Sequence, residues 1–183
     1  MSDPVTKIAT LTPTSAVASF TSIPSTYDDL VLIGSAKHGY TSSSVYSANN
    51  VHINMNSDTG SNYSWSGLGA RSGESSYNWA DGSTLTTFMA VFGCSTNAQA
   101  YDNYGWGNFY IYFPGYKVTN AYKKMQSMAG YANSAGNSHG SQIGQGTWGS
   151  NAAITSIAVQ AYYGGQGSYV TGTSMTLYGI SNS

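Results

Sequence analysis

The amino-acid sequence predicts an all-β protein: a two-sheet antiparallel β-sandwich, jelly-roll-like, of about ten strands. Three observations carry this expectation. Apolar residues recur with period two along most of the chain, and no window of roughly 11 to 18 residues holds an i, i+3, i+4, i+7 apolar stripe. The apolar runs are separated by clusters of Gly, Ser, Asn and Pro at about the spacing expected of a sandwich or barrel. Of the 183 residues, 40% are hydrophobic and 14% aromatic while 7% are charged, unlike the highly charged, weakly hydrophobic composition of disordered chains. The length fits one domain, residues 1–183, with residues 1–12 as an N-terminal arm or edge strand.

The elements follow in order. Val5–Leu11 is the first run, then 15–23, where Val17 and Ile23 mark one face, then 29–36, whose sequence DLVLIGSA is continuous enough for burial on both sides. Pro13 and Pro24 punctuate them. After a loop rich in Ser and Asn at 40–50, Val51, Ile53 and Met55 point one way and His52, Asn54 and Asn56 the other. Runs at 62–70 and 85–94 flank a polar stretch, 71–83, that reads as a loop. Gly107–Phe113, 121–131, 138–148, 154–163 and 173–180 complete the set. The expected core includes Val31, Ile33, Phe88, Ala90, Phe92, Phe109, Ile111, Ile157, Val159 and Leu177. No fixed internal period of the roughly 20 to 50 residues that marks propellers and solenoids is present.

Composition excludes several functions. Six Lys plus Arg against seven Asp plus Glu, a net charge of −1, leave no electrostatic footprint for a phosphate backbone, so nucleic acid is not an expected partner. Residues 1–10 have no apolar signal region and no later stretch reaches the roughly 18 to 20 apolar residues of a membrane helix, so neither export nor a membrane is expected. Cys94 is the single cysteine, which rules out an intrachain disulfide and a Cys-based zinc site; it reads as a small core residue.

Reactive groups are few. Glu74 and Asp81 could form a glycosidase pair, but both fall in a Ser- and Gly-rich loop where carboxylates are ordinarily solvated. The stretch from Gly136 through Ser138 to Gly140 matches G-x-S-x-G, yet no helix follows to make a nucleophile elbow. Gly144, Gly146 and Gly149 match G-x-G-x-x-G, yet an alternating β-branched run follows instead of a phosphate-binding helix. Residues 54–60 begin like a calcium loop but lack the sixth-position Gly and an acid at the twelfth, which is Trp65. His38, His52 and His139 fall in different elements. No catalytic residue, metal site or cofactor is expected, and hydrolysis depending on Ser138 or Glu74 is not.

The unusual feature is aromatic residues set among Ser, Asn and Gly. Tyr63, Trp65, Tyr77, Trp79, Tyr101, Tyr104 and Trp106 lie within or beside the expected loops 58–81 and 97–106, where they are candidate contacts for a glycan or a partner protein. Ordinary packing within the sandwich is the competing role for each.

Three segments taken in order carry a resemblance: Phe20 through Leu32 (FTSIPSTYDDLVL), Asn56 through Trp65 (NSDTGSNYSW), and the ending from Ile154 through Ile180. The set resembles small β-rich virion structural proteins of tailed bacteriophages. The resemblance implies a capsid decoration or cement protein, or a module of a tail fibre or spike, located in the virion, assembled in the host cytoplasm and often trimeric. It carries over no enzymatic residue. The expected function is therefore a non-enzymatic virion structural protein whose partners are other virion proteins and copies of itself. A carbohydrate-binding receptor module of a tail fibre is the alternative, and a small glycan hydrolase the second.

Overall fold

The computed structural model describes residues 4–39, 49–71, 76–85, 87–96, 106–132, 139–162 and 168–182. Among them the regular structure is twelve strands and no helix. In chain order these are β1 (Val5–Leu11), β2 (Val17–Phe20), β3 (Asp29–His38), β4 (Asn49–Met55), β5 (Tyr63–Arg71), β6 (Tyr77–Leu85), β7 (Phe88–Thr96), β8 (Gly107–Phe113), β9 (Lys123–Ala132), β10 (His139–Trp148), β11 (Ile157–Tyr162) and β12 (Ser174–Ile180).

Pairing sorts the strands into two layers. The larger sheet runs β1-β12-β3-β8-β9-β10-β5-β6 and the smaller β2-β11-β4-β7. Neighbours within each are antiparallel. The layers are joined by β3, whose last residues Ala36, Lys37 and His38 run parallel to Cys94, Ser95 and Thr96 of β7. From that junction β7 crosses over β8, β9 and β10. The fold is thus an all-β two-sheet sandwich, as the alternation predicts. Val5–Leu11 is an edge strand, paired with β12.

The core lies between the layers because strict alternation gives each strand one apolar face. The larger sheet contributes Leu30 and Leu32, Phe109, Ile111 and Phe113, Met175 and Leu177; the smaller contributes Phe20, Ile53, Met55, Ile157 and Val159. At roughly 1.5–3 kcal/mol for each large apolar side chain fully buried, this cluster supplies the main driving force for folding. Gly34 belongs to the inner face for a steric reason. A Cβ there would stand 2.1 Å from the ring of Phe109, its partner across the β3–β8 ladder, so the ring fills the space a side chain would take.

Two expectations need correction. Ile33 is not core: it is 47% exposed. Leu30, Leu32 and Ala36 take the inner face of β3, and period two then places Ile33 on the other side. Val31 shares that outer side but is buried, in the cross-strand row between Tyr178 and Tyr112. The second correction concerns 71–83, expected to be a loop. Most of it is the end of β5 and the body of β6, whose ladder with β5 runs from Gly69–Tyr77 to Trp65–Asp81 and, after a register shift, to Tyr63–Leu85. Phe109, Ile111, Ile157, Val159 and Leu177 are core as expected, whereas the side chains of Phe88, Ala90 and Phe92 lie outside the described residues.

Candidate functional site

Of the seven candidate aromatics, the side chains of Tyr63, Trp65 and Trp106 lie among the described residues, and they take three different placements. Tyr63 is fully buried, which corrects its reading as a contact residue; its ring stacks on Trp148 at a centroid distance of 6.3 Å. Trp65 is partly buried and packs against the same cluster. Tyr77 and Trp79 occupy β6 positions paired with Gly69 and Gly67, and their side chains lie outside the described residues. So do Tyr101 and Tyr104. Trp106 alone among the seven is shown exposed, at 43%. It lies over Gly172, where φ is +98° and a Cβ would meet the indole at 2.8 Å.

The segment resembling a calcium loop is a structural corner between the two sheets. Met55 accepts a hydrogen bond from Asp58 N at 2.9 Å, with Asn56 and Ser57 both at positive φ, so the chain reverses tightly between β4 and β5. Asn56 then clamps the smaller sheet's approach to β11: its Oδ1 accepts from Thr155 N at 2.8 Å and Ser156 N at 3.0 Å, and its Nδ2 donates to Ala153 O at 2.8 Å. The Asp58 carboxylate accepts from Trp148 Nε1 at 2.7 Å, Asn62 Nδ2 at 2.9 Å and Gly60 N at 2.8 Å. These bonds, led by Asn62 and Gly60, hold its pKa below the ordinary range. Its oxygens serve donors of this chain.

Asp28 and Asp29 close a second corner. Asp28 accepts from Asn182 N at 2.7 Å and pairs with Lys117 at 3.1 Å, and both contacts lower its pKa. Asp29 accepts from Gly115 N at 2.7 Å, Tyr112 Oη at 2.8 Å and Asn182 Nδ2 at 3.0 Å. Burial pushes its pKa up, but the three hydrogen bonds together leave it lowered. Lys123, which the sequence does not single out, is buried with Nζ donating to the carbonyls of Val118, Ala121 and Asn151. It ties the entry of β9 to two neighbouring loops. Among the described residues no group of three or more His, Cys, Asp or Glu is placed to hold a metal ion. Glu74, Ser138 and the side chain of Asp81 lie outside the described residues, while Gly144 and Gly146 are ladder positions in β10, paired with Gly67 and Trp65.

What the sequence does not single out is a row on the outer face of the larger sheet. Ladder register aligns Ile33 with Tyr110, Tyr110 with Met128, Met128 with Ile143, and Ile143 with Leu68. Five adjacent strands therefore present one continuous apolar line. Ile33 is 47%, Met128 53%, Ile143 55% and Leu68 58% exposed. The row on one side reads Tyr112, Gln126, Gln145 and Ser66, and on the other Ser35, Asn108, Gly130, Ser141 and Ala70. None of these residues is charged. Shallow depressions of about 710 Å³ and 680 Å³ lie along the line, sharing Leu68, Tyr110, Met128 and Ile143.

Comparison with known proteins finds no matching family model, no matching curated protein and no matching solved structure.

Proposed function

We propose that this chain is a non-enzymatic structural protein of a tailed-bacteriophage virion, assembled in the host cytoplasm, that decorates or cements the capsid or finishes the tail. The observation that carries the reading is the outer face of the larger sheet. Four aliphatic side chains are held in register on a hydrogen-bonded support, and exposed contiguous patches of this kind mark interaction surfaces. The carboxylates of Asp28, Asp29 and Asp58 support it, since each is committed to closing a corner of the fold. The ordered resemblance of three segments supplies the virion context. Electron-microscopic reconstruction of purified particles tests it. Copies of the sandwich are expected at the capsid surface or the tail tip, and particles that lack the chain altogether overturn the reading.

A second reading, recognition of a neutral glycan by a tail-fibre module, is favoured by one observation: Trp106 presents an exposed indole held in place by the close approach of Gly172. On this reading Trp106→Ala weakens binding to host-surface glycan by about tenfold or more while leaving the thermal midpoint in place. Unchanged binding on a glycan array removes it.

A further inference from the structure

The geometry points to the occupant of the outer face: a second copy of this chain, packed face to face about a two-fold axis near Met128. The inference rests on the reading of the protein as an assembly component and names the surface through which it assembles.

The first argument is electrostatic. In a two-fold interface a surface meets itself, so any charge near the axis lies against its own like charge. Across β3, β8, β9, β10 and β5 the apolar line and the rows on both sides of it carry none; Lys7, which continues the Tyr112 row through Val31 and Tyr178, stands on the edge strand β1, four strands from Met128, and the whole chain has a net charge of only −1. Such a face meets its copy without repulsion. The flanking rows are also self-complementary. Gln126, Gln145 and Asn108 each offer both a donor and an acceptor, so amides of one copy can pair with amides, Ser141 or Tyr112 of the other.

The second argument is area. The central row continues beyond the apolar line to Thr176 and Thr10 at one end and Asn78 at the other, so it crosses eight strands. At about 4.8 Å between strands and about 6.6 Å between rows, the central and Tyr112 rows across eight strands and the Asn108 row across six cover roughly 700 Å², close to the 800 Å² or so that each partner contributes to a standard interface. The apolar line alone is too small to bind a copy; the whole face is large enough. Face-to-face sheet packing is the geometry that lets the side chains of two such faces interdigitate. Four of the five residues of the central line, Ile33, Met128, Ile143 and Leu68, are aliphatic knobs around the single ring of Tyr110, which suits a protein surface better than a sugar ring.

The test uses the full chain in solution. Light scattering of the wild type at micromolar concentration is expected to give twice the monomer mass, and Met128→Glu is expected to halve it while the far-UV spectrum is retained, since Met128 is exposed in the single chain. Met128→Cys supplies an independent gain of signal. Under mild oxidation it is expected to form a covalent dimer whose linkage maps to position 128 of both copies. A monomeric wild type, a trimer, or a dimer indifferent to Met128→Glu and lacking the 128–128 link overturns the assignment. Failure of the virion reading is distinguishable: a 128–128 dimer absent from particles keeps this interface and removes the virion role, and a monomer found in particles does the reverse.

Discussion

Replacing Trp148 by alanine is expected to destabilise the protein by about 3–5 kcal/mol, the usual cost of removing a buried large aromatic ring. Three losses combine. The side chain is 2% exposed, so its removal leaves a cavity at the end of β10; Tyr63 loses its stacking partner; and Asp58 loses the indole N–H that donates to it at 2.7 Å. Asp58 in turn anchors Gly60 and Asn62, so the corner between β4 and β5 loosens with it. Asp58→Ala is expected to cost less, about 1–3 kcal/mol, because it leaves the ring in place but strands a buried indole N–H. The double variant should lose less than the sum of the two single losses, since both remove the same hydrogen bond. Chemical denaturation checks this through a lower midpoint at an unchanged slope. Against a total stability of about 5–15 kcal/mol, a loss below about 1 kcal/mol for Trp148→Ala contradicts its place in the core.

The same residues show what was legible in the sequence. The fold class follows from period two, and β4 is a clear case: Val51, Ile53 and Met55 are buried inward as the alternation predicts. Phase is harder where both faces carry apolar residues. DLVLIGSA reads equally well with Leu30 and Leu32 inward or with Val31 and Ile33 inward, and only the packing of β3 between β8 and β12 decides. Tyr63 shows the same limit for sites. Among Ser and Asn it reads as a surface aromatic, but its hydroxyl accepts from Met55 N at 3.1 Å across the turn and its ring meets Trp148, a residue far away in sequence. The outer row left a signal that single strands do not reveal. Met128 lies between Gln126 and Gly130, Ile143 between Ser141 and Gln145, and Leu68 between Ser66 and Ala70, each one apolar residue on an otherwise polar or small phase. Only the ladder register shows that these exceptions line up.

Acid is expected to unfold the protein in two stages. The first stage belongs to His52. Burial pushes its pKa down from 6.5 to about 4, so the folded state holds it neutral, hydrogen-bonded through Nδ1 to Thr87 Oγ1 at 2.9 Å. The unfolded chain therefore binds a proton between pH 6.5 and about 4 that the folded chain refuses, and stability falls with falling pH across that window. A displacement of this size corresponds to about 3 kcal/mol, a large share of the total. Burial lowers the pKa of His38 too, which acts in the same direction. The second stage belongs to the carboxylates. The folded pKa values of Asp28, Asp29 and Asp58 lie below 3.8, so the stability they contribute is complete above that value and is lost as pH falls through each folded pKa. All of these groups act with the same sign, so denaturation midpoints measured from pH 7 downward should decline without a recovery. His52→Gln separates the stages. It removes the titrating ring while keeping a side chain able to reach Thr87, so the decline between pH 6.5 and 4 should flatten while the steeper loss below pH 4 persists. A wild-type midpoint constant from pH 7 to pH 4 contradicts the first stage and with it the buried, neutral state of His52.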